Sequence, residues 1–276
     1  MNYDLHHLYE AAVQNVEADI EFLERLFREE VGREPITLRE DFCGTASLAA
    51  HWCSGSPERR AYGVDLDEPT VAWGLEHRVR QLDVEDRTEV LLGDVRQVHE
   101  QKVDLQTAFN FSFCVFQTRE EIVDYFRCAQ ESLADDGVFA LDLLGGTETC
   151  EELVEKTKVP ARTDIDGTEL PPFTYVWDQA AFNPIDHSMT CHIHFKLGKG
   201  QKLKRAFTYD WRLWTITELR ELMSEAGFAR SKVYVEGWDD DTDEPDGDFQ
   251  ETDGFDNSGS WIAYVVGFKS AKGAAS

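Results

Sequence analysis

The sequence predicts an α/β protein built on a doubly wound, mainly parallel sheet. Between residues 36 and 145, short apolar runs alternate with runs that have the three-to-four spacing of a helix. Several of the apolar runs end in an acidic residue, and the first of them turns at a glycine into a helix pattern. Strands and helices that alternate in this way form a parallel sheet with helices on both faces, because crossovers between parallel strands are right-handed.

The turn after the first predicted strand is the most informative segment. Glu40 and Asp41 close an apolar run, the chain bends at Gly44, and a short apolar helix pattern follows. In open α/β sheets, nucleotide-like ligands bind at this turn, because the backbone can approach them closely there. The dinucleotide fingerprint G-x-G-x-x-G is absent, since Phe42 and Ala46 stand where glycines are expected. The sequence therefore favours a nucleoside ligand over a dinucleotide.

The next predicted strands also end in polar residues. Asp65 ends the second strand and follows Glu40 by 65 − 40 = 25 residues, close to the spacing at which a carboxylate accepts hydrogen bonds from ribose hydroxyls. Asp94 ends the third strand, where its carboxylate can accept from an exocyclic amine such as that of adenine. The fourth strand is expected over 104–112, with Asn110 near its end.

The remaining elements follow from periodicity, turn residues and two capping boxes. Helices are predicted over residues 5–31, 69–81, 118–133, 151–156 and 215–227. Further strands are predicted over residues 138–144, 173–177, 188–197, 204–214, 232–235 and 261–266. The stretch 238–257 contains ten acidic residues and few apolar ones, so it is predicted to be a solvated loop.

These residues resemble the class I S-adenosylmethionine-dependent methyltransferases, most clearly over 36–145. The binding loop of that family usually reads Asp-x-Gly-x-Gly-x-Gly, of which this chain keeps the acid as Glu40 and the middle glycine as Gly44. The resemblance implies a Rossmann-like, doubly wound, seven-stranded sheet whose last strand is antiparallel, with an added antiparallel β-unit. It also implies three parts, which are a helical cap over 1–35, a cofactor-binding core over 36–146 and 215–270, and an inserted substrate or lid unit over 160–214.

The cofactor implied by this resemblance is S-adenosyl-L-methionine. Residues expected to bind it are Glu40, Cys43, Gly44, Asp65, Leu66, Asp94, Val95 and Asn110. Glu40 and Gly44 would face its methionyl and ribose end, Asp65 the ribose hydroxyls, Asp94 and the Val95 amide the adenine, and Asn110 the sulfonium. Each acid could instead cap a turn or a helix. Glu40 and Asp41 remain interchangeable, because a slip of one residue reverses side-chain direction along a strand.

Candidates for binding the methyl acceptor lie mainly in the aromatic stretch 209–214. Trp211 lies on one face of the predicted strand, and Arg212 and Trp214 lie on the other. An aromatic wall with a guanidinium suits a small molecule that carries a carboxylate, although ordinary packing of an inserted sheet is the competing interpretation. Tyr9 of the N-terminal helix would either close over the cofactor or pack in the core.

Few catalytic residues are required, because the cofactor supplies the reactivity in methyl transfer. His192 and His194 share one strand face, and either is a candidate general base, as is Arg212 for a catalytic role. No acid lies among these histidines at the spacing of metal ligands, so no metal site is expected.

Composition limits the range of partners. The chain has 276 residues and a formal net charge of −27, from 54 acidic residues against 27 lysines and arginines. Such a surface repels nucleic acids and anionic membranes, so a small-molecule substrate is expected, and a homodimer stays open. Six cysteines without a C-x-x-C pair, and an N-terminus without the features of a signal peptide, predict a cytoplasmic protein.

The predicted function is S-adenosylmethionine-dependent methyl transfer to a small-molecule acceptor by in-line displacement. An aminopropyl transferase is disfavoured, because Asn110 and Ser112 supply no acidic polyamine site. A nicotinamide oxidoreductase is disfavoured by the missing glycine fingerprint. A non-catalytic S-adenosylmethionine-binding or partner protein with the same fold remains, and Phe42 and Ala46 support that alternative.

Overall fold

A computed structural model describes residues 4–98, 100–239 and 244–271. Its helices are α1 (Leu5–Val13), α2 (Val16–Val31), α3 (Ser47–Ser54), α4 (Glu68–Gly74), α5 (Arg119–Ser132) and α6 (Ile216–Ala226). Its strands are β1 (Thr37–Asp41), β2 (Arg60–Asp65), β3 (Thr88–Leu92), β4 (Val103–Ala108), β5 (Leu133–Gly145), β6 (Leu153–Val159), β7 (Arg162–Thr163), β8 (Glu169–Leu170), β9 (Phe173–Phe182), β10 (Ser188–Lys196), β11 (Lys202–Arg212), β12 (Arg230–Asp239), β13 (Glu244–Glu251) and β14 (Trp261–Phe268).

The large sheet has the strand order β13-β12-β14-β5-β4-β1-β2-β3. Strands β1 to β5 pair in parallel, whereas β14 pairs antiparallel with both β5 and β12. The predicted α/β fold with an antiparallel last strand is therefore confirmed. Strand β4, in the centre of the sheet, is buried along its whole length, although Asp104, Gln106 and Thr107 make half of it polar.

The described part of this sheet has eight strands rather than seven, because β13 pairs antiparallel with β12. The prediction that 238–257 forms a loop is wrong over β13, while residues 240–243 lie outside the described residues. Phe249 of β13 packs edge-on against Tyr264 with ring centroids 4.6 Å apart. Arg25 pairs with Asp248 at 2.5 Å and so offsets part of the acidic charge. These distant partners stabilise a strand that its own composition disfavours.

Two helix predictions also require correction. The helix expected over 5–31 is broken between α1 and α2, where Gln14 and Asn15 leave the helical conformation. The helix expected over 151–156 is wrong, because β6 occupies that region and pairs antiparallel with β9. Tertiary pairing thus overrides the local pattern. Both predicted capping boxes, at Thr118 and Thr215, are confirmed.

A second, antiparallel sheet has the order β11-β10-β9-β6, and β7 pairs with β8 in a separate hairpin. One face of this sheet packs on α1, where Leu8 is fully buried in a cluster with Ile193 and Phe195. Trp211 and Cys191 join the cluster that fills the core of the large sheet. The second sheet and α1 therefore lie beside the C-terminal ends of the parallel strands. Among the described helices, none is long and apolar enough to span a membrane.

Candidate functional site

The loop between β1 and α3 adopts a left-handed backbone at alternate positions. The φ angles are 56° at Phe42, 51° at Gly44 and 54° at Ala46. This conformation is easy for glycine and costs other residues about 1–2 kcal/mol each. Phe42 is held by edge-on contacts with the rings of Phe116 and Tyr125 at centroid distances of 5.9 and 5.8 Å. The loop thus takes a glycine-like path at two positions where the glycines are missing, because packing supports the strained residues.

Asp65 fixes this loop from the end of β2. Its Oδ2 accepts a hydrogen bond from the Gly44 amide at 2.8 Å, and its Oδ1 accepts from the Asp67 amide at 2.9 Å. The next residue, Leu66, is 75% exposed, which leaves an apolar side chain without a covering group beside the loop. Cys43 is buried, and burial raises the pKa of its thiol well above the usual value. Cys43 is therefore a packing residue rather than a reactive one.

Glu40 and Asp41 have different environments, although they are adjacent in β1. Asp41 is buried with Arg39, whose Nε donates to its Oδ1 at 2.6 Å, and with Tyr125, whose hydroxyl donates to its Oδ2 at 2.8 Å. Glu40 instead faces the first turn of α3, where its Oε2 accepts from the Ala49 amide at 2.9 Å. Asp41 belongs to a structural network, and Glu40 is the acid that faces the loop.

Asp94, just after the end of β3, pairs with a residue close to it in the chain. The carboxylate of Asp94 accepts from the guanidinium of Arg96 at 2.6 Å, and this contact lowers the pKa of Asp94. Val95 is buried, and its carbonyl accepts from Arg39 at 2.7 Å. The interpretation of Asp94 as a turn residue is thus supported by its partners, and contact with adenine stays a prediction for Asp94 and Val95.

Two buried acids near the site were missed by the sequence reasoning. Asp142 of β5 accepts from the amides of Asn110 and Phe111, both at 2.9 Å, and so holds these two residues in the left-handed conformation. Asp19 of α2 accepts from the hydroxyl of Tyr264 at 2.5 Å. An aspartate inside the apolar run Val138–Leu144 is the sequence signal that could have identified Asp142.

Three carboxyl groups in this region hold their protons unusually tightly. Burial raises the pKa of Glu40 to about 8, that of Asp142 to about 7 and that of Asp19 to about 6. Repulsion from Asp19 also contributes to the raised pKa of Glu40 and of Asp142. A nearby cation would favour their charged forms. The region is therefore electrostatically suited to a positively charged ligand.

An aromatic cavity of about 200 Å³ adjoins the end of β4. Its aromatic lining residues are Tyr9, Phe111, Tyr175, Trp177, Tyr209 and Trp211. Asn110 also lines the cavity, as do the acids Glu148 and Glu155. The Trp211 ring stacks on Tyr209 with centroids 4.5 Å apart, and its buried indole N–H has no hydrogen-bond partner among the described residues. Burial raises the pKa of Tyr9 to about 12, so its phenol stays protonated at neutral pH.

The other predicted acceptor and catalytic residues lie outside this cavity. The Arg212 guanidinium stacks 3.8 Å from the ring centroid of Trp214 and pairs with Glu218 at 3.3 Å. Ile193 lines the cavity, so its neighbours His192 and His194 point to the opposite face of β10. His194 pairs there with Asp178 at 3.0 Å. The geometry does not support these histidines as bases, nor Arg212 and Trp214 as contacts, for a molecule in the cavity.

The raised pKa of Glu40 gives a testable pH dependence. The folded protein binds the Glu40 proton more tightly than the unfolded chain does, so Glu40 lowers the free energy of unfolding as pH rises from 5 to 8. The glutamine in Glu40→Gln does not titrate, so this variant should not lose stability in that way. We expect its unfolding free energy, relative to that of the parent protein, to rise by about 2–4 kcal/mol between pH 5 and pH 8. Urea unfolding at several pH values measures the difference. Glu29→Gln, on an exposed part of α2, is the control. If the unfolding free energies of Glu40→Gln and of the parent protein changed with pH in parallel, the prediction would be wrong.

Comparisons with known proteins agree with this geometry. No family model matches the sequence, and no match was found among curated proteins. Solved structures do match. An S-adenosylmethionine-dependent methyltransferase from Clostridium acetobutylicum has 14% identity and a TM-score of 0.67, with 95% of this chain and 96% of that chain covered.

Two further structures are similar over nearly their whole length. CalS10, an amino pentose methyltransferase from Micromonospora echinaspora, has 14% identity and a TM-score of 0.65, with coverage of 96% of this chain and 98% of that chain. The sugar N-methyltransferase KedS8 from Streptoalloteichus has 17% identity and a TM-score of 0.63, with coverage of 97% and 93%. The chain therefore has the fold of the S-adenosylmethionine-dependent methyltransferases.

Proposed function

We propose that the protein transfers a methyl group from S-adenosylmethionine to an amine nitrogen of a small molecule. The observation that carries the proposal is the adjacency of two sites at the ends of the parallel strands. One is the left-handed loop at Gly44, which Asp65 holds by a hydrogen bond at 2.8 Å. The other is the aromatic cavity. Asn110, which follows the end of β4, is one of the residues that line this cavity.

The residues of the first site fit this cofactor. S-adenosylmethionine carries a sulfonium and an ammonium group, and the buried acids Glu40, Asp142 and Asp19 would be stabilised in their charged forms by such cations. Asp65 lies at the strand end where carboxylates accept from ribose hydroxyls. The exposed Leu66 would pack on an adenine ring. In this proposal, Cys43 and Gly44 form the floor of the site.

The cavity favours a cationic acceptor over an anionic one. Its lining combines aromatic rings with the carboxylates of Glu148 and Glu155, whereas Arg212 lies outside it. Aromatic faces and carboxylates both attract an ammonium group. The amino sugar substrates named for CalS10 and the N-methylation named for KedS8 are consistent with a nitrogen acceptor. The carboxylate-bearing acceptor suggested by the sequence alone has no matching cation among the described residues that line the cavity.

The chain's own residues would orient the reactants and exclude water. Bound S-adenosylmethionine supplies an electrophilic methyl group on sulfur. Asp142 fixes the backbone at Asn110 and Phe111, between the two sites, through its two hydrogen bonds. The aromatic walls would remove part of a bound acceptor's surface from water, which strengthens electrostatic interactions there. An amine reacts through its lone pair, so an ammonium must first lose a proton, and Glu148 and Glu155 are the cavity's acceptors for it.

Binding and turnover experiments test the proposal in two steps. Titration calorimetry with S-adenosylmethionine, its demethylated product and NAD should show binding of the first two only. A panel of small amines and carboxylates, incubated with the protein and labelled S-adenosylmethionine, should then give labelled amines. Binding of NAD alone would refute the assignment. Cofactor binding without any labelled product from the panel would favour the non-catalytic alternative.

Glu155 provides a separate test of the acceptor site. We expect Glu155→Gln to raise KM for an amine acceptor about threefold, because an ion pair with an exposed carboxylate such as Glu155 contributes roughly 0.2–1 kcal/mol, while the Kd for S-adenosylmethionine stays unchanged. Steady-state kinetics on a substrate from the panel measures the effect. Glu152→Gln, on an exposed residue near the start of β6 that is not part of the cavity lining, is the matched control. Equal KM values for the two variants would count against a cationic acceptor at Glu155.

A further inference from the structure

Two histidines and an aspartate meet outside the proposed catalytic cleft. His7 lies on α1, His77 lies in the five-residue π-helical turn Leu75–Val79, and Asp166 lies in the turn between β7 and β8. Asp166 Oδ2 is 2.8 Å from His7 Nε2 and 2.7 Å from His77 Nδ1. The three ligand atoms all lie within 4.8 Å of one another. We propose that these side chains bind a divalent transition metal of the Zn²⁺ type.

The donor set and its support suit such an ion. Zinc binds imidazole nitrogen and carboxylate oxygen at about 2.0–2.2 Å, so its ligand atoms lie roughly 3.4 Å apart in a tetrahedral site. Small side-chain rotations bring the three atoms to that spacing. Asp166 Oδ1 accepts from the Thr168 amide at 2.9 Å, which aims Oδ2 at the two rings. Asp164 Oδ2, 3.8 Å from His7 Nε2, is near enough to supply a fourth ligand.

Local charge also favours a cation. Arg78 pairs with Asp164 at 2.9 Å, and its Nε donates to Glu10 at 2.6 Å. With neutral histidines, the carboxylates of Glu10, Asp164 and Asp166 outnumber this one guanidinium by two charges. The Asp164 and Asp166 side chains are only 7% and 6% exposed. A divalent ion would neutralise the excess charge, which is costly to bury unpaired.

The backbone at His77 supports a functional role. π-helical turns are rare and occur frequently at functional sites, and this turn carries both His77 and Arg78 of the cluster. The His77 side chain is 34% exposed, which gives an ion a route from solvent. The bound ion would join α1, which carries Tyr9 of the aromatic cavity, to the π-helical turn and to the β7–β8 hairpin.

A neighbouring tryptophan reports on the cluster. The Trp73 ring stacks on His77 with centroids 4.4 Å apart and meets His7 edge-on at 4.8 Å. Cu²⁺ bound by these histidines should quench the fluorescence of Trp73, and the quenching should be absent in Trp73→Phe. This readout depends neither on methyl transfer nor on binding of S-adenosylmethionine.

Titration of the chelator-treated protein with ZnCl₂ tests the proposal. We expect one equivalent of Zn²⁺ to bind, and His77→Ala to weaken binding by at least about 100-fold, since even outer-shell changes cost 10–100-fold. Asp166→Asn should weaken binding similarly while keeping the size of the side chain. His194→Ala is the matched control, because His194 is also paired with an aspartate and lies beside His192. That variant should bind Zn²⁺ as the parent protein does.

Two results of these experiments would overturn the proposal. If the parent protein takes up no stoichiometric Zn²⁺ and its Trp73 fluorescence is insensitive to Cu²⁺, the cluster is a hydrogen-bonded clamp without metal. Loss of binding in His194→Ala but not in His77→Ala would place the ion at His192 and His194 instead. Because His77 is partly exposed, His77→Ala should fold, and circular dichroism checks this. Should it not fold, Asp166→Asn gives the same comparison.

Discussion

Replacing Asp65 with alanine should weaken binding of S-adenosylmethionine by at least about 100-fold. A hydrogen bond to a charged group contributes about 1.5–3 kcal/mol, and two ribose hydroxyls would lose such a bond. The loss of about 3 kcal/mol or more corresponds to at least two factors of ten in Kd. The Gly44 amide would also lose its acceptor, which is 2.8 Å away in the parent protein. Titration calorimetry measures the affinity, and thermal unfolding checks the fold.

Two companion variants separate the effects of Asp65 on ligand and loop. Asp65→Asn keeps an oxygen that can accept from the Gly44 amide, so the loop should persist while the ribose contacts weaken. Asp67→Ala removes an exposed acid two residues away that accepts from the Thr70 hydroxyl at 2.8 Å, and it should keep the parent affinity. An unchanged Kd for Asp65→Ala would refute the proposed cofactor site.

The parallel half of the sheet was predictable from sequence because its determinants are local. The turn residues, the helix periodicity and the acidic residues that end β1 and β2 are all read from neighbouring positions in the chain. The antiparallel β13 was not predictable, because its stability depends on Phe249 packing against Tyr264 and on Arg25 pairing with Asp248. These partners are more than 10 residues away along the chain, and an acidic composition alone indicates a loop.

The candidate site was predictable only in part, for a related reason. Gly44 follows β1 and Asp65 is the last residue of β2, so the sequence identifies both directly. Asp142 lies within a strand, and its importance depends on burial and on the amides of Asn110 and Phe111. Alternation along β10 groups His192 and His194 on the face opposite Ile193, whereas β11 ends at Arg212, so alternation does not assign a face to Trp214. It does not indicate which face meets the cavity, because that depends on how the second sheet packs against α1 and the core.

Gly74 restricts the loop that carries Gly44, although no pattern in the sequence singles it out. It ends α4 with helical angles of φ −62° and ψ −40°, so helix propensity alone predicts that Gly74→Ala would stabilise the protein by about 1 kcal/mol. A Cβ atom there would lie 2.1 Å from the Thr45 carbonyl oxygen and 2.6 Å from its Cα. The obstacle is backbone, and Thr45 is held in turn by its hydroxyl, which donates to Glu10 at 2.5 Å.

The close contact should outweigh the propensity, so we expect Gly74→Ala to lower the free energy of unfolding by about 3 kcal/mol. This change corresponds to a fall of roughly 6–10 °C in Tm. Because the clash displaces the loop at Gly44, affinity for S-adenosylmethionine should fall as well. Gly198→Ala is the control, since a Cβ there meets nothing within 4 Å, and its effect should stay within about 0.5 kcal/mol. If Gly74→Ala instead raised Tm and kept the parent affinity, α4 would not restrain the loop and the geometry proposed for the site would be wrong.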